Sequence, residues 1–173
     1  GITVGHVVSS SKFAVKCEEA GVDVIVAEGF EAGGHNGREE TTTLCLIPAV
    51  RKATSLPLIA AGGIGTGEAI LAVQALGAEG VQMGTRFALT RESAAHENFK
   101  QRCLELQEGE TRLLLKQLAP TRLVKNTFCQ AVDNSETRGD TPHQLTELSG
   151  RSTDTSGLFH RDLGKGDLER GQT

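Results

Sequence analysis

A histidine in a glycine-rich loop is the residue of this sequence best suited to acid–base chemistry. The loop, residues 28–40, directly follows an apolar stretch of strand length, so in an α/β protein it lies at the sheet edge where ligands bind. His35 stands there among three glycines. Imidazole titrates near neutral pH, which suits a general base or a donor to a developing anion. A structural or merely exposed histidine is an equal alternative, and Glu31 with His35 lacks a third ligand at the spacing of a metal site.

Glycines at two further strand ends suit the binding of phosphate. The run AAGGIGTG at 60–67 indicates the end of a buried strand, a turn and the start of a helix. Without Cβ atoms, the backbone N–H groups of Gly62 and Gly63 can approach an anion closely. Gly84 and Thr85 end the next strand, and barrels commonly bind phosphate after two adjacent strands of this kind. A tight turn without a ligand is the alternative, and the spacing does not match the GxGxxG of a dinucleotide-binding turn.

Charge and composition exclude several classes of protein. The 173 residues carry a net charge of −4 and contain no Trp or Tyr, so the sequence lacks both the basic patch and the stacking aromatics of a nucleic-acid binder. No apolar run approaches the roughly 20 residues of a membrane span, and no signal peptide is recognisable. We expect a cytoplasmic protein. The four cysteines are widely separated and suggest neither a zinc site nor a redox pair.

Strands and helices alternate over the first half of the chain. The pattern predicts strands at 2–8, 22–27, 58–61 and 80–84, and helices that begin near Ser11, Thr43 and Thr66. Such alternation predicts parallel βαβ units, either in an open doubly wound sheet or in half of an eight-stranded barrel. The chain begins inside a strand without Met, which favours the half-barrel, with these four as the last four of eight units.

The alternation of strands and helices ends after residue 94. Apolar residues from Phe99 to Phe128 predict two or three amphipathic helices that form a cap over residues 95–132. Residues 133–173 are polar and predict a surface segment that is partly disordered. Residues 1–94 would then be the half-barrel.

Three motifs, read in order, resemble the nitronate monooxygenase family, also called 2-nitropropane dioxygenase-like. They are EGFEAGGHNG at 28–37, AAGGI at 60–64 and LGAEGVQMGTRF at 76–87, and the similarity continues to about residue 132. The resemblance implies an FMN-dependent (β/α)8 TIM barrel, of which this chain is the C-terminal half. It implies a reaction in which FMN takes electrons from an alkyl nitronate and then reacts with O2, giving a carbonyl compound and nitrite. A homodimer is also an expectation.

The resemblance assigns roles to individual residues. His35 takes the place of the family's catalytic base, which removes the α-proton of a nitroalkane or contacts the nitronate. The implied FMN contacts are Glu28, Gly33, Gly62, Gly63, Gln82, Met83, Gly84 and Thr85. At the position of Glu28, relatives often have Gln near the flavin.

Other functions stay open at this point. FMN-dependent enoyl-acyl-carrier-protein reductases have a similar loop around the histidine and a similar GTRF strand end, but they take hydride from NAD(P)H. The shared residues therefore do not separate the two activities. A phosphosugar-binding barrel without flavin and a non-catalytic fragment of a barrel are further alternatives.

Overall fold

The computed structural model of the 173-residue chain describes residues 1–149. Its elements are β1 (Gly5–Val8), α1 (Ser11–Glu19), β2 (Val24–Glu28), β3 (Gly34–His35), α2 (Thr43–Ala53), β4 (Leu58–Ala61), α3 (Gly67–Ala75), β5 (Gly80–Gln82), α4 (Thr85–Ala88), α5 (Glu97–Glu105), β6 (Thr111–Leu114), β7 (Thr121–Val124), α6 (Thr127–Arg138) and α7 (Pro142–Ser149). The described residues divide into two compact units. The first contains Gly1–Ala32 and Asn36–Met83, and the second contains Gly33–His35 and residues 84–149.

The first unit is built on a parallel sheet of four strands in the order β1-β2-β4-β5. Every neighbouring pair is parallel, as the alternation of strands and helices predicts. Helices α1, α2 and α3 supply the apolar side chains that bury the sheet, and the fully buried members of this core include Ile25, Ile47, Val50, Leu58 and Ala60. The predicted βαβ organisation is confirmed.

Local sequence signals set the ends of the helices in this unit. The side chains of Ser10 and Thr66 accept hydrogen bonds from Phe13 and Ala69 and so cap the N-termini of α1 and α3. Gly77 follows α3 with a φ of +104°, a conformation that glycine adopts without strain. The first strand begins at Gly5 rather than Ile2, and the fourth ends at Gln82 rather than Gly84, because the backbone of Gly84 is not extended (φ −92°, ψ −80°).

The second unit contains an antiparallel sheet of three strands in the order β3-β7-β6. The prediction of helices across Leu113–Leu115 and Leu123–Val124 is wrong, because most of these residues lie in β6 and β7. Short apolar runs fit a strand or a buried helix equally well. Leu115 has a φ of +57° and Pro120 lacks an N–H group, so a helix does not continue between the two runs. Helices α5 and α6 confirm the prediction around Phe99 and Phe128.

The segment after Asp133 is more ordered than its polar composition suggests. Helix α6 continues to Arg138 and ends at Gly139, whose φ is +79°, and α7 follows. Leu145 of α7 is fully buried and packs with Val132 in one apolar cluster. Most residues of 141–148 are nevertheless exposed, so this part lies at the surface but is helical. Residues 150–173 lie outside the described part, and the prediction for 133–173 as a whole stays a prediction. The division of the chain at residues 94 and 132 stays a prediction.

Candidate functional site

Three residues stand level at the carboxyl end of the parallel sheet. Glu28 ends β2 and Gln82 ends β5, and each is the register partner of Ala61, which ends β4 between them. Parallel α/β sheets bind ligands at this edge. The strand register therefore brings Glu28 and Gln82 to the glycine turn that follows Ala61.

The Glu28 side chain is half-buried, and burial raises the pKa of its carboxyl above the ordinary value. No residue of the described part forms a hydrogen bond or an ion pair with this carboxyl. An ionised carboxyl accepts hydrogen bonds, and a protonated one can also donate a hydrogen bond. Glu28 can therefore offer either a donor or an acceptor to a ligand.

The loop after β2 packs directly against the glycine turn after β4. The Gly29 N–H donates to the Ala61 carbonyl at 3.0 Å. A Cβ atom on Gly62 would lie 2.5 Å from the Gly29 oxygen, and one on Gly29 would lie 2.1 Å from the Thr43 hydroxyl oxygen. Both positions thus require glycine, because the Gly29 backbone fills the space at Gly62 and Thr43 fills the space at Gly29.

Thr43 joins these two loops at the start of α2. Its hydroxyl oxygen lies 2.8 Å from the Gly62 carbonyl oxygen and 3.0 Å from Oε2 of Glu31. The Thr43 N–H donates to the same carboxylate, at 3.0 and 3.1 Å from its two oxygens. Glu31 therefore satisfies an N–H group at the positive end of α2, where a carboxylate is stabilising. This arrangement assigns Glu31 a structural role.

The glycine turn itself fits a phosphate group. Gly62 and Gly63 both have positive φ, +95° and +68°. The backbone N–H groups of residues 62–65 donate to no acceptor within the described part of the chain, although Ile64 and Gly65 are buried. Buried N–H groups almost always have a partner in folded proteins, so this turn has the donors that a bound anion would satisfy. Met83 directly follows β5, and its side chain packs against the apolar core of the first unit.

The predicted catalytic residue, His35, lies in the second unit. It forms the short strand β3 with Gly34, and the register sets His35 opposite Thr121 and Gly34 opposite Arg122. The His35 side chain is exposed. Its backbone is thus fixed by β7 rather than left in a mobile loop, while the imidazole stays accessible. Gly33, which directly precedes β3, is also exposed.

Sequence reasoning missed the two residues of β7 that hold this histidine strand. Thr121 and Arg122 are 1% and 3% exposed, and polar side chains are rarely buried so deeply. The Thr121 hydroxyl donates to the Ala119 carbonyl at 2.8 Å, and Nη1 of Arg122 lies 3.4 Å from the hydroxyl oxygen of Thr111. The β-branched residues Thr121 and Val124, just after Pro120, are a weak signal for a strand in this region.

Gly84 and Thr85 also belong to the second unit. Gly84 precedes the single turn of α4, and its carbonyl accepts from the N–H groups of Phe87 and Ala88. The structure thus groups Glu28, Gly62, Gly63, Gln82 and Met83 in the first unit. It places Gly33, His35, Gly84 and Thr85 in the second.

Residues 1–149 contain neither a metal-binding cluster nor a membrane-spanning helix. No cluster of three or more His, Cys, Asp or Glu side chains there has the geometry to hold a metal ion. No helix of this part has both the length and the apolar character needed to cross a membrane.

Comparisons with known proteins agree on one family. A family model described as nitronate monooxygenase matches residues 1–163. A probable nitronate monooxygenase of Staphylococcus haemolyticus (strain JCSC1435) is 47% identical over 107 residues, which are 57% of this chain and 30% of the relative. Another, of Staphylococcus aureus (strain Newman), is 38% identical over 139 residues, which are 75% of this chain and 38% of the relative. The chain thus spans about a third of the length of these curated relatives.

Solved structures give the same fold. FabK from Thermotoga maritima superposes with a TM-score of 0.92 at 36% identity, over 99% of this chain and 54% of FabK. Nitroalkane oxidase from Streptomyces ansochromogenes superposes with a TM-score of 0.79 at 30% identity, over 99% of this chain and 52% of the oxidase. These likenesses confirm the predicted fold class, part of a TIM barrel. Because the family model covers most of its length, the chain belongs to the nitronate monooxygenase family, a family of FMN-dependent oxidoreductases.

Proposed function

We propose that this protein binds FMN and oxidises alkyl nitronates or nitroalkanes with O2, giving carbonyl compounds and nitrite. The observation that carries the FMN part of the proposal is the glycine turn after β4, whose N–H groups at 62–65 lack acceptors in the described chain. Membership of the nitronate monooxygenase family supports the substrate.

The residues present fit a flavin phosphate and ring. Gly62 and Gly63 present backbone donors without Cβ atoms in the way, which suits a phosphate group. By their correspondence with family positions, Gly33, Gln82, Met83, Gly84 and Thr85 are further proposed contacts of FMN. Glu28, protonated or ionised, would donate or accept a hydrogen bond at the flavin.

The proposed reaction assigns one proton transfer to the chain. When bound, FMN would supply a two-electron oxidant with O2 as the final electron acceptor. In the balanced reaction, nitronate, water and O2 give the carbonyl compound, nitrite and H2O2. His35 would act as the general base that takes the α-proton of a neutral nitroalkane, and with an anionic nitronate it would instead donate a hydrogen bond to a nitro oxygen. The accessible side chain and the fixed backbone of His35 suit both roles, because a base must be reachable and held in place.

The second candidate is reduction of an enoyl thioester by NAD(P)H. The motifs at 28–37 and 84–87 favour it to the same extent, because both families share them. In that reaction His35 would donate a hydrogen bond to the thioester carbonyl, and the FMN contacts would be unchanged.

Anaerobic reduction of the flavin separates the two candidates. The full-length protein, loaded with FMN, is mixed without O2 with propane 2-nitronate in one sample and with NADPH in another, and the loss of the flavin absorbance is followed. We expect bleaching by the nitronate alone. Bleaching by NADPH alone would replace the proposed function with the reductase, and a protein that binds no FMN would contradict both.

A further inference from the structure

The Thr43 hydroxyl is surrounded by oxygen atoms and has one proton to share among them. The carbonyl oxygens of Gly62 and Ala61 lie 2.8 and 3.3 Å away, and Oε2 of Glu31 lies 3.0 Å away. A threonine hydroxyl donates one hydrogen bond at a time. The contact with Gly62 is the shortest of the three, and Thr43 is only 7% exposed, so water does not compete for it. The hydroxyl therefore holds the Gly62 carbonyl.

Holding this carbonyl fixes the direction of the next N–H group. The peptide bond between Gly62 and Gly63 is planar and trans, since the chain contains no cis peptide among its described residues. In a trans peptide the C=O and N–H bonds point in opposite directions. The Gly63 N–H therefore points away from Thr43 and Glu31, and it meets no acceptor within the described residues.

This peptide needs such a hold because glycine flanks it on both sides. A flip of the peptide plane changes ψ of Gly62 and φ of Gly63, and glycine tolerates either value at little cost. A flipped peptide would point its carbonyl oxygen where the N–H now points and would repel an anion. Backbone atoms of Gly29 pack against Gly62 but form no hydrogen bond with its carbonyl.

Thr43 is itself held in place through its backbone N–H group, not through its hydroxyl. Its backbone N–H donates to the carboxylate of Glu31 at the first residue of α2. The hydroxyl is thus not needed for this contact, and a change confined to the hydroxyl leaves the start of α2 intact. The two roles of Thr43 can therefore be separated by substitution.

We propose that Thr43 is a positioning residue for phosphate recognition: its hydroxyl locks the Gly62–Gly63 peptide so that the Gly63 N–H faces the phosphate of the flavin. This inference rests on the proposed binding of FMN. It predicts that Thr43 affects the phosphate group of FMN and not the isoalloxazine ring.

The test compares FMN with riboflavin, which has the same ring but no phosphate. Thr43→Val replaces the hydroxyl with a methyl group of similar size, and Thr43→Ser keeps the hydroxyl. Affinities of the full-length apoprotein for both flavins are measured by quenching of flavin fluorescence. We expect Thr43→Val to weaken FMN binding by about 10- to 100-fold, the effect of one hydrogen bond to a charged group. Its riboflavin affinity should stay within about twofold of the unmodified protein, and Thr43→Ser should restore FMN binding.

Two results would overturn the role of Thr43. One is an FMN affinity of Thr43→Val equal to that of the unmodified protein. The other is an equal loss of FMN and riboflavin, which would indicate a general structural role. If Thr43→Val does not fold, Thr43→Cys, whose thiol is a weak donor, takes its place in the same comparison. An unmodified protein that binds FMN no more tightly than riboflavin would overturn the inference alone, whereas one that binds neither flavin would overturn the proposed function as well.

Discussion

Glu28 and Gln82 are register partners of the same residue, Ala61, on opposite sides of β4. Three parallel strands therefore end at one level, and the turn that continues from Ala61 carries Gly62 and Gly63 between an acid and an amide. Burial raises the pKa of the Glu28 carboxyl, so a charge on this side of the turn costs free energy that the neutral amide of Gln82 does not.

Replacing Glu28 by Gln should stabilise the apoprotein at neutral pH and have no such effect in acid. Burial raises the folded-state pKa of this carboxyl above its usual 4.5, so the folded state binds the proton more tightly than the unfolded state. The cost of the buried charge is absent below the unfolded-state pKa and complete above the raised one. The thermal midpoint of Glu28→Gln should therefore rise relative to the unmodified protein between pH 4 and pH 8.

The matched control for this prediction is Glu19→Gln, which removes the same charge from an exposed position in α1. It should show no comparable gain with pH. A constant difference between Glu28→Gln and the unmodified protein at all pH values would show that the charge of Glu28 has no part in it.

The local parts of this fold were readable from the sequence, and the long-range pairing was not. Strand β4 matches its predicted bounds at Leu58 and Ala61, and α3 begins next to Thr66, where a helix start was predicted, because caps and apolar runs act within a few residues. The pairing of β3 with β7 joins segments far apart in the sequence, and a strand as short as Gly34–His35 carries no periodicity. No local signal could indicate Thr121 as the partner of His35.

In the candidate site, too, the local features are predictable from the sequence and the long-range contacts are not. Gly62 and Gly63 predict a close approach of the backbone to a ligand. The structure shows that Gly62 also packs closely against the backbone of Gly29. The sequence identifies Thr43 only as the start of a helix. Its bond to the Gly62 carbonyl depends on the packing of α2 against β4, which the sequence does not specify.

Gly62→Ala should destabilise the protein by about 3 kcal/mol. The new methyl group would lie 2.5 Å from the Gly29 carbonyl oxygen, and alanine at a φ of +95° is strained. Urea denaturation measures the free energy of unfolding. Gly67→Ala serves as the control, because nothing lies within 4 Å of that position and alanine favours the helix that begins there. Equal stabilities of the two variants would contradict the tight packing of Gly62 on Gly29.

His35→Ala should retain FMN and lose about 10²–10⁴-fold in kcat/KM with a neutral nitroalkane, since a general base commonly contributes that much. The anionic nitronate has no proton left to remove, so its oxidation should suffer less. Steady-state oxygen consumption with both substrates measures the difference. His143→Ala, at a histidine whose side chain is 82% exposed on α7, should leave both rates unchanged. An equal loss with both substrates would exclude the role of His35 as base.

Gly63→Val should abolish the retention of FMN while the protein stays folded. A β-branched residue at a φ of +68° is a strained outlier, and its side chain would crowd the N–H group that we assign to the phosphate. The flavin content after gel filtration, read from the absorbance spectrum, measures retention, and circular dichroism checks the fold. Gly67→Val introduces the same side chain at the start of α3, where the space is open, and should remain yellow. A fully yellow Gly63→Val would contradict the assignment of the Gly63 N–H to the phosphate.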